Sequence, residues 1–117
     1  MDKILLSDCH FRVHLGVTRK EQSKPQPIIL DLELLVDLQR PGHSDHLTDT
    51  INYSQVHAVI LEHLTTHRFN LVEALAEQVT SLLLQKFPIK KILLRVKKPH
   101  ALKKQHVAWA GVEIIRP

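Results

Sequence analysis

The chain has little of what usually marks a specialised class. Its single cysteine, Cys9, excludes an internal disulfide and suits a reducing compartment. Aromatic residues make up only 4% of the sequence, basic residues are scattered, and no nucleic-acid-binding signature is present. No apolar run approaches the ~20 residues that cross a bilayer. The stretch Met1–Asp8 is too short in its apolar part for a signal peptide. Repeats, low-complexity tracts and linkers are absent. These absences set the expectation of a cytoplasmic protein with neither nucleic acid nor membrane as partner.

What is there is enough for one core. The 117 residues, 44% of them hydrophobic, suit a single domain over 1–117 and are too few for two. Lys and Arg number 16 against 12 Asp and Glu, so the net charge of 16 − 12 = +4 favours an anionic ligand only mildly.

Hydrophobic periodicity orders the chain. Residues 3–15 read as a strand whose apolar phase shifts near Ser7-Asp8, which predicts a bulge. Residues 16–26 are polar and read as a loop. Residues 27–38 alternate cleanly, with Ile28, Leu30, Leu32, Leu34, Val36 and Leu38 on one face. A loop over 39–50 leads to amphipathic helices at 53–65 and 71–87, the second running through Leu71, Leu75, Val79 and Leu82. Residues 90–98 and 105–116 read as strands. The order ββααββ describes an α+β fold, a four-stranded antiparallel sheet with two helices on one face. The opposite face carries charges of both signs, and the long sheet edges invite pairing between subunits.

Lys98 ends the run Ile92-Leu93-Leu94-Arg95-Val96-Lys97-Lys98 before Pro99 and shares a face with Ile92, Leu94 and Val96. An amine at the end of an apolar row is partly desolvated, and desolvation moves lysines toward general-base range. A helix and the strand after it usually run antiparallel, so Glu73 at the start of helix 71–87 belongs at the same sheet end. Each residue has a plainer account. Lys98 serves equally as a snorkelling strand-end lysine. Asn70 and Glu73 have the spacing of a capping box, with Glu73 at the third helical position. His63 and His67, four apart on a helix, are a possible metal pair without a clear third ligand, and cationic side chains near a helix C-terminus explain them more simply. No metal or cofactor is expected.

Several segments together resemble the dihydroneopterin aldolase family over the whole chain. They are Phe11-Arg12-Val13-His14-Leu15-Gly16-Val17 with Glu21, Asp49-Thr50-Ile51-Asn52-Tyr53, Phe69 through Glu77, Val96-Lys97-Lys98-Pro99, and Gly111-Val112-Glu113-Ile114. The resemblance implies the tunnelling fold, in which four subunits form a barrel and two barrels stack into an octamer with sites at subunit interfaces. It also implies metal-free retro-aldol cleavage of 7,8-dihydroneopterin, a pterin of folate biosynthesis, to 6-hydroxymethyl-7,8-dihydropterin and glycolaldehyde. On this likeness Glu73 is the ring anchor, aided by backbone N–H groups near Val72. Lys98 is the lysine that handles the hydroxyl proton, and Glu21 is the acid near it. Tyr53 reaches in from a neighbouring subunit.

After the lysine the sequence departs from many family members. Pro99-His100-Ala101-Leu102-Lys103-Lys104 is similar to a sister branch, the dihydroneopterin triphosphate 2′-epimerases, and Lys98, His100, Lys103 and Lys104 would suit a triphosphate. The same cluster also reads as a solvated hairpin loop. A non-catalytic pterin-binding subunit is the remaining alternative, against which the joint presence of Glu21, Tyr53, Glu73 and Lys98 argues.

Overall fold

The computed structural model describes residues 1–117. Strands β1 (Lys3–Leu15), β2 (Gln26–Leu35), β3 (Arg68–Phe69), β4 (Lys91–Lys98) and β5 (Ala110–Arg116) form one curled sheet in the order β3-β1-β2-β4-β5. All pairings are antiparallel except β3 on β1. Helices α1 (Arg19–Ser23), α2 (Gln39–Ser44), α3 (Tyr53–Thr66) and α4 (Val72–Lys86) complete the chain, with 3-10 turns at Leu47–Asp49 and Lys103–Gln105. No helix is long and apolar enough to cross a membrane.

The sheet therefore has five strands rather than the four of the ββααββ reading. β3 is two residues long and exists because Arg68 and Phe69 pair with His14 and Leu15. A pair that short leaves no periodic trace. α1 lies in the segment read as a loop. It is a capping box in which Thr18 accepts from the Glu21 N–H and Glu21 accepts from the Thr18 N–H. α2 carries Pro41 in its first turn, where a missing N–H costs nothing, and stops at Asp45 in a left-handed conformation, φ 58°. β5 begins at Ala110, because the 3-10 turn and left-handed His106, φ 62°, occupy 103–106.

The bulge in β1 lies where the apolar phase shifts: pairing slips between Leu6 and Cys9, and Asp8 takes φ 53°. That slip returns both Leu6 and Cys9 to the helix side of the sheet. There Val56, Ile60 and Leu64 of α3, and Leu75, Ala76, Val79 and Leu83 of α4, pack on the inner rows of β1, β2 and β4 in one core of 21 buried residues. Complete burial of each such side chain contributes about 1.5–3 kcal/mol, so the core rather than helix propensity holds α3 and α4 in place. Leu71, assigned above to that apolar stripe, is instead about half exposed at the start of α4.

The other face carries paired charges. Lys3 meets Glu33 at 2.6 Å, and Arg95 meets Glu113 at 2.7 Å. Lys97 bridges Asp8 at 3.0 Å and Asp31 at 2.9 Å, with the Trp109 ring 5.8 Å away. Burial works to raise the Asp31 pKa. The Asp8 N–H and the Lys97 ammonium outweigh it, so the carboxyl is held below its ordinary range. A depressed carboxyl contributes stability that is fully present above its unfolded value, about 4, and lost as pH falls through the folded value. Asp31→Asn should therefore lower Tm at pH 7, with the gap to wild type closing as pH drops below about 4, as calorimetry from pH 2 to 7 would show.

Candidate active site

One end of the sheet collects most of the candidate residues. β1 ends there at Leu15, beside Phe69 of β3, and the Gly16 N–H donates to the Phe69 carbonyl at 3.0 Å. α4 starts three residues after Phe69. β2 begins and β4 ends at the same edge, since Arg12 pairs with Pro27 and Ile29 pairs with Lys97. Val72, Glu73 and Lys98 thus belong to one end of the subunit, as the antiparallel helix–strand argument expects.

Lys98 is half-buried, on the row of the fully buried Ile92, Leu94 and Val96, while Lys97 turns to the opposite face. Glu21 sits in α1 close enough to feel its charge. Hydrogen bonds from the Thr18 N–H and hydroxyl, then from Val17, with the Lys98 ammonium adding, hold the Glu21 carboxyl below its usual range against a smaller opposing desolvation. Gly16 makes room for this seat. It adopts φ +145°, and a Cβ there would lie 2.3 Å from Glu21 Cβ. Gly16→Ala should cost at least about 1–3 kcal/mol in backbone strain and displace Glu21. Thermal unfolding together with an activity assay would show both losses.

The capping-box account of Glu73 does not hold. The N-cap of α4 is Leu71, which offers no side-chain cap, so Glu73 occupies the second helical position. Asn70 is engaged elsewhere: its Oδ1 accepts from Gln22 Nε2 at 2.6 Å. The Glu73 carboxylate is left exposed beside Val72 and the half-exposed Leu71, at a helix end whose first N–H groups have no intrahelical partner.

Tyr53 lies at the other end of the molecule. It opens α3 after the Asn52 cap, whose side chain accepts from the Ser54 N–H at 3.0 Å. α3 runs 14 residues, about 21 Å, before the chain reaches β3 at the Lys98 end. Tyr53 is 63% exposed and so is not packed against its own chain. With Ile4, Leu5, Leu47 and Asn52 it lines an open cleft of ≈ 400 Å³ at the start of β1. The candidate residues therefore fall into two groups, Glu21, Lys98, Val72 and Glu73 at one end and Tyr53 at the other.

The histidine pair is structurally occupied. His63 and His67 stack with ring centroids 4.0 Å apart, His63 Nε2 donates to Gln78 Oε1 at 2.9 Å, and His67 Nδ1 donates to the His63 carbonyl at 2.9 Å. Lys103 and Lys104 are exposed in the 3-10 turn of the β4–β5 loop.

A profile of the FolB dihydroneopterin aldolase family matches residues 4–115. The chain belongs to the dihydroneopterin aldolase family. It is 37% identical over 117 residues to a dihydroneopterin aldolase of Streptococcus pyogenes serotype M18, covering 99% of this chain and 98% of that one. Dihydroneopterin aldolase 1 of Arabidopsis thaliana is 32% identical, with 98% of this chain and 80% of that one covered. Among solved structures, E. coli dihydroneopterin aldolase in complex with neopterin superposes with a TM-score of 0.94 at 30% identity, with both chains covered fully. Membership in the dihydroneopterin aldolase family accounts for the curled sheet.

One participant escaped the sequence reading. Gln22 was an unremarkable residue of a polar loop, yet four hydrogen bonds converge on it besides the one its own N–H gives to the Thr18 carbonyl. Its partners lie up to 48 positions away, and no local spacing signals that.

Proposed function

We propose that this chain is one domain over residues 1–117 that cleaves 7,8-dihydroneopterin by a metal-free retro-aldol reaction in the cytoplasm, where Cys9 stays reduced. The observation that carries the reading is the end-to-end likeness to dihydroneopterin aldolases, one of them solved with neopterin. Glu73 anchors the ring: its carboxylate accepts two parallel hydrogen bonds from the amino-pyrimidinone edge, and the N–H groups at Val72 and Glu73 face the ring carbonyl oxygen. Lys98, with Glu21 beside it, takes the proton of the side-chain 2′-hydroxyl, directly or through water. That oxygen becomes the carbonyl of glycolaldehyde as the C1′–C2′ bond breaks, and the bonding pair moves into the dihydropterin C=N group. Protonation of C1′ then restores C=N and yields 6-hydroxymethyl-7,8-dihydropterin. Tyr53 of a neighbouring subunit assists that last proton transfer.

The proposed assembly makes use of the same geometry. Four subunits joined edge to edge through β1 and β5 close a barrel, and two barrels stack into an octamer. Exposed Tyr53, Leu5 and Leu47 of one subunit meet the Lys98 end of the next. The test is incubation with dihydroneopterin and, separately, with its triphosphate. Glycolaldehyde from the first supports the aldolase. The 2′-epimer from the second, with no cleavage of the first, would move the protein to the epimerase branch.

A further inference from the structure

We propose that Gln22 is a positioning residue that sets the distance between Glu21, beside Lys98, and the Glu73 side of the site; the functional part of this proposal rests on the aldolase reading above. α1 has five residues and buries none of them, so packing does not hold it. Its capping box is internal and fixes only the helix's own shape. Both side-chain hydrogen bonds that run between α1 and the β3–α4 segment end on Gln22. The side-chain Nε2 donates to Asn70 Oδ1 at 2.6 Å and to the Gly16 carbonyl at 2.9 Å. An amide nitrogen has two hydrogens, so both bonds form together, and a backbone carbonyl can only accept, which settles the orientation of the amide. The Gln22 carbonyl accepts from His14 Nδ1 at 2.6 Å and from Arg68 Nη1 at 3.1 Å.

The consequence is mechanical. Glu21 precedes Gln22 in the chain, and Asn70 lies three residues before Glu73. A ligand anchored by its ring at Glu73 presents its side-chain hydroxyl at a distance fixed by its own bonds. The base, Lys98, is held by β4, whereas Glu21 beside it is carried by α1, and a 1 Å misplacement of such a group costs about 100-fold in rate. The Gln22–Asn70 bond spans the gap that has to be held. It touches neither Glu73, Lys98 nor Glu21, so its loss should loosen the position of Glu21 against the ring anchor and leave each of the three side chains intact.

Gln22→Ala, Asn70→Ala and the double variant test this by three readouts. Expected is a fall in kcat of about 10–100-fold in each single variant, with affinity for a side-chain-free pterin changed less than about threefold. The double variant should be no worse than Gln22→Ala alone, because that substitution already removes the bond to Asn70 together with the one to Gly16. Amide exchange over residues 18–23 should rise about tenfold or more, with the protein's Tm nearly unchanged. This last readout does not depend on activity. If wild type fails to cleave dihydroneopterin, the aldolase reading falls, while exchange still reports whether Gln22 tethers α1. Unchanged exchange, kcat within about twofold of wild type, multiplicative losses in the double variant, or loss of pterin affinity in parallel with kcat would each overturn the proposal.

Discussion

Lys98→Ala is expected to lower kcat and kcat/KM together by about 10²–10⁴-fold, the usual contribution of a positioned acid–base group. Affinity for a product-like pterin should stay within about tenfold, or ~1.4 kcal/mol, because the proposed ring anchor, Glu73, is on another element. Lys98 sits where β4 ends, on the row of buried Ile92, Leu94 and Val96, and its truncation removes no core atom. The fold should therefore survive. Lys98→Arg separates two roles. A guanidinium keeps its positive charge beside Glu21 but does not release its proton at neutral pH, so rescue should be slight. Single-turnover kinetics with dihydroneopterin would show this, and a fully active Lys98→Arg enzyme would mean that charge alone matters.

The second large effect concerns binding. In Glu73→Gln one carboxylate oxygen becomes an amide donor facing a ring N–H. The lost charge-assisted bond and the opposed donors together should cost about 2–4 kcal/mol in pterin affinity. Stability should barely change, since Glu73 is exposed at the second position of α4 and completes no capping box. Calorimetric titration with a pterin and a thermal scan give the two numbers. Unchanged affinity with a lowered Tm would assign Glu73 to helix stability instead.

Periodicity made most of the frame legible. The alternation in β2 and β4, the bulge at Asp8 and the core faces of α3 and α4 all follow from which residues had to leave water. The same logic put Lys98 on the inner row and Lys97 on the outer one. What stayed hidden depends on partners far away in sequence. β3 needs His14 and Leu15, fifty-odd positions upstream, before Arg68 and Phe69 count as a strand. The cap spacing at Asn70 and Glu73 misled because Gln22 draws the Asn70 side chain away, and the chain enters α4 one residue later. α1 was marked in the sequence by Thr18-Arg19-Lys20-Glu21, a capping-box pattern, but without an apolar run behind it the segment looked like loop. The wide separation of Tyr53 from Lys98 became visible only when α3 was seen to run from one end of the sheet to the other.

That separation carries the central claim, that a complete site needs two subunits. Tyr53→Phe and Lys98→Ala should each be nearly inactive alone. Unfolded together in equal amounts and reassembled, they should recover about a quarter of wild-type activity, since in a head-to-tail ring one interface in four joins an intact Tyr53 to an intact Lys98. Steady-state glycolaldehyde release from the mixture is the measurement. Recovery near that fraction is the result expected; activity no greater than the sum of the two parents would contradict a shared site and confine the chemistry to one chain.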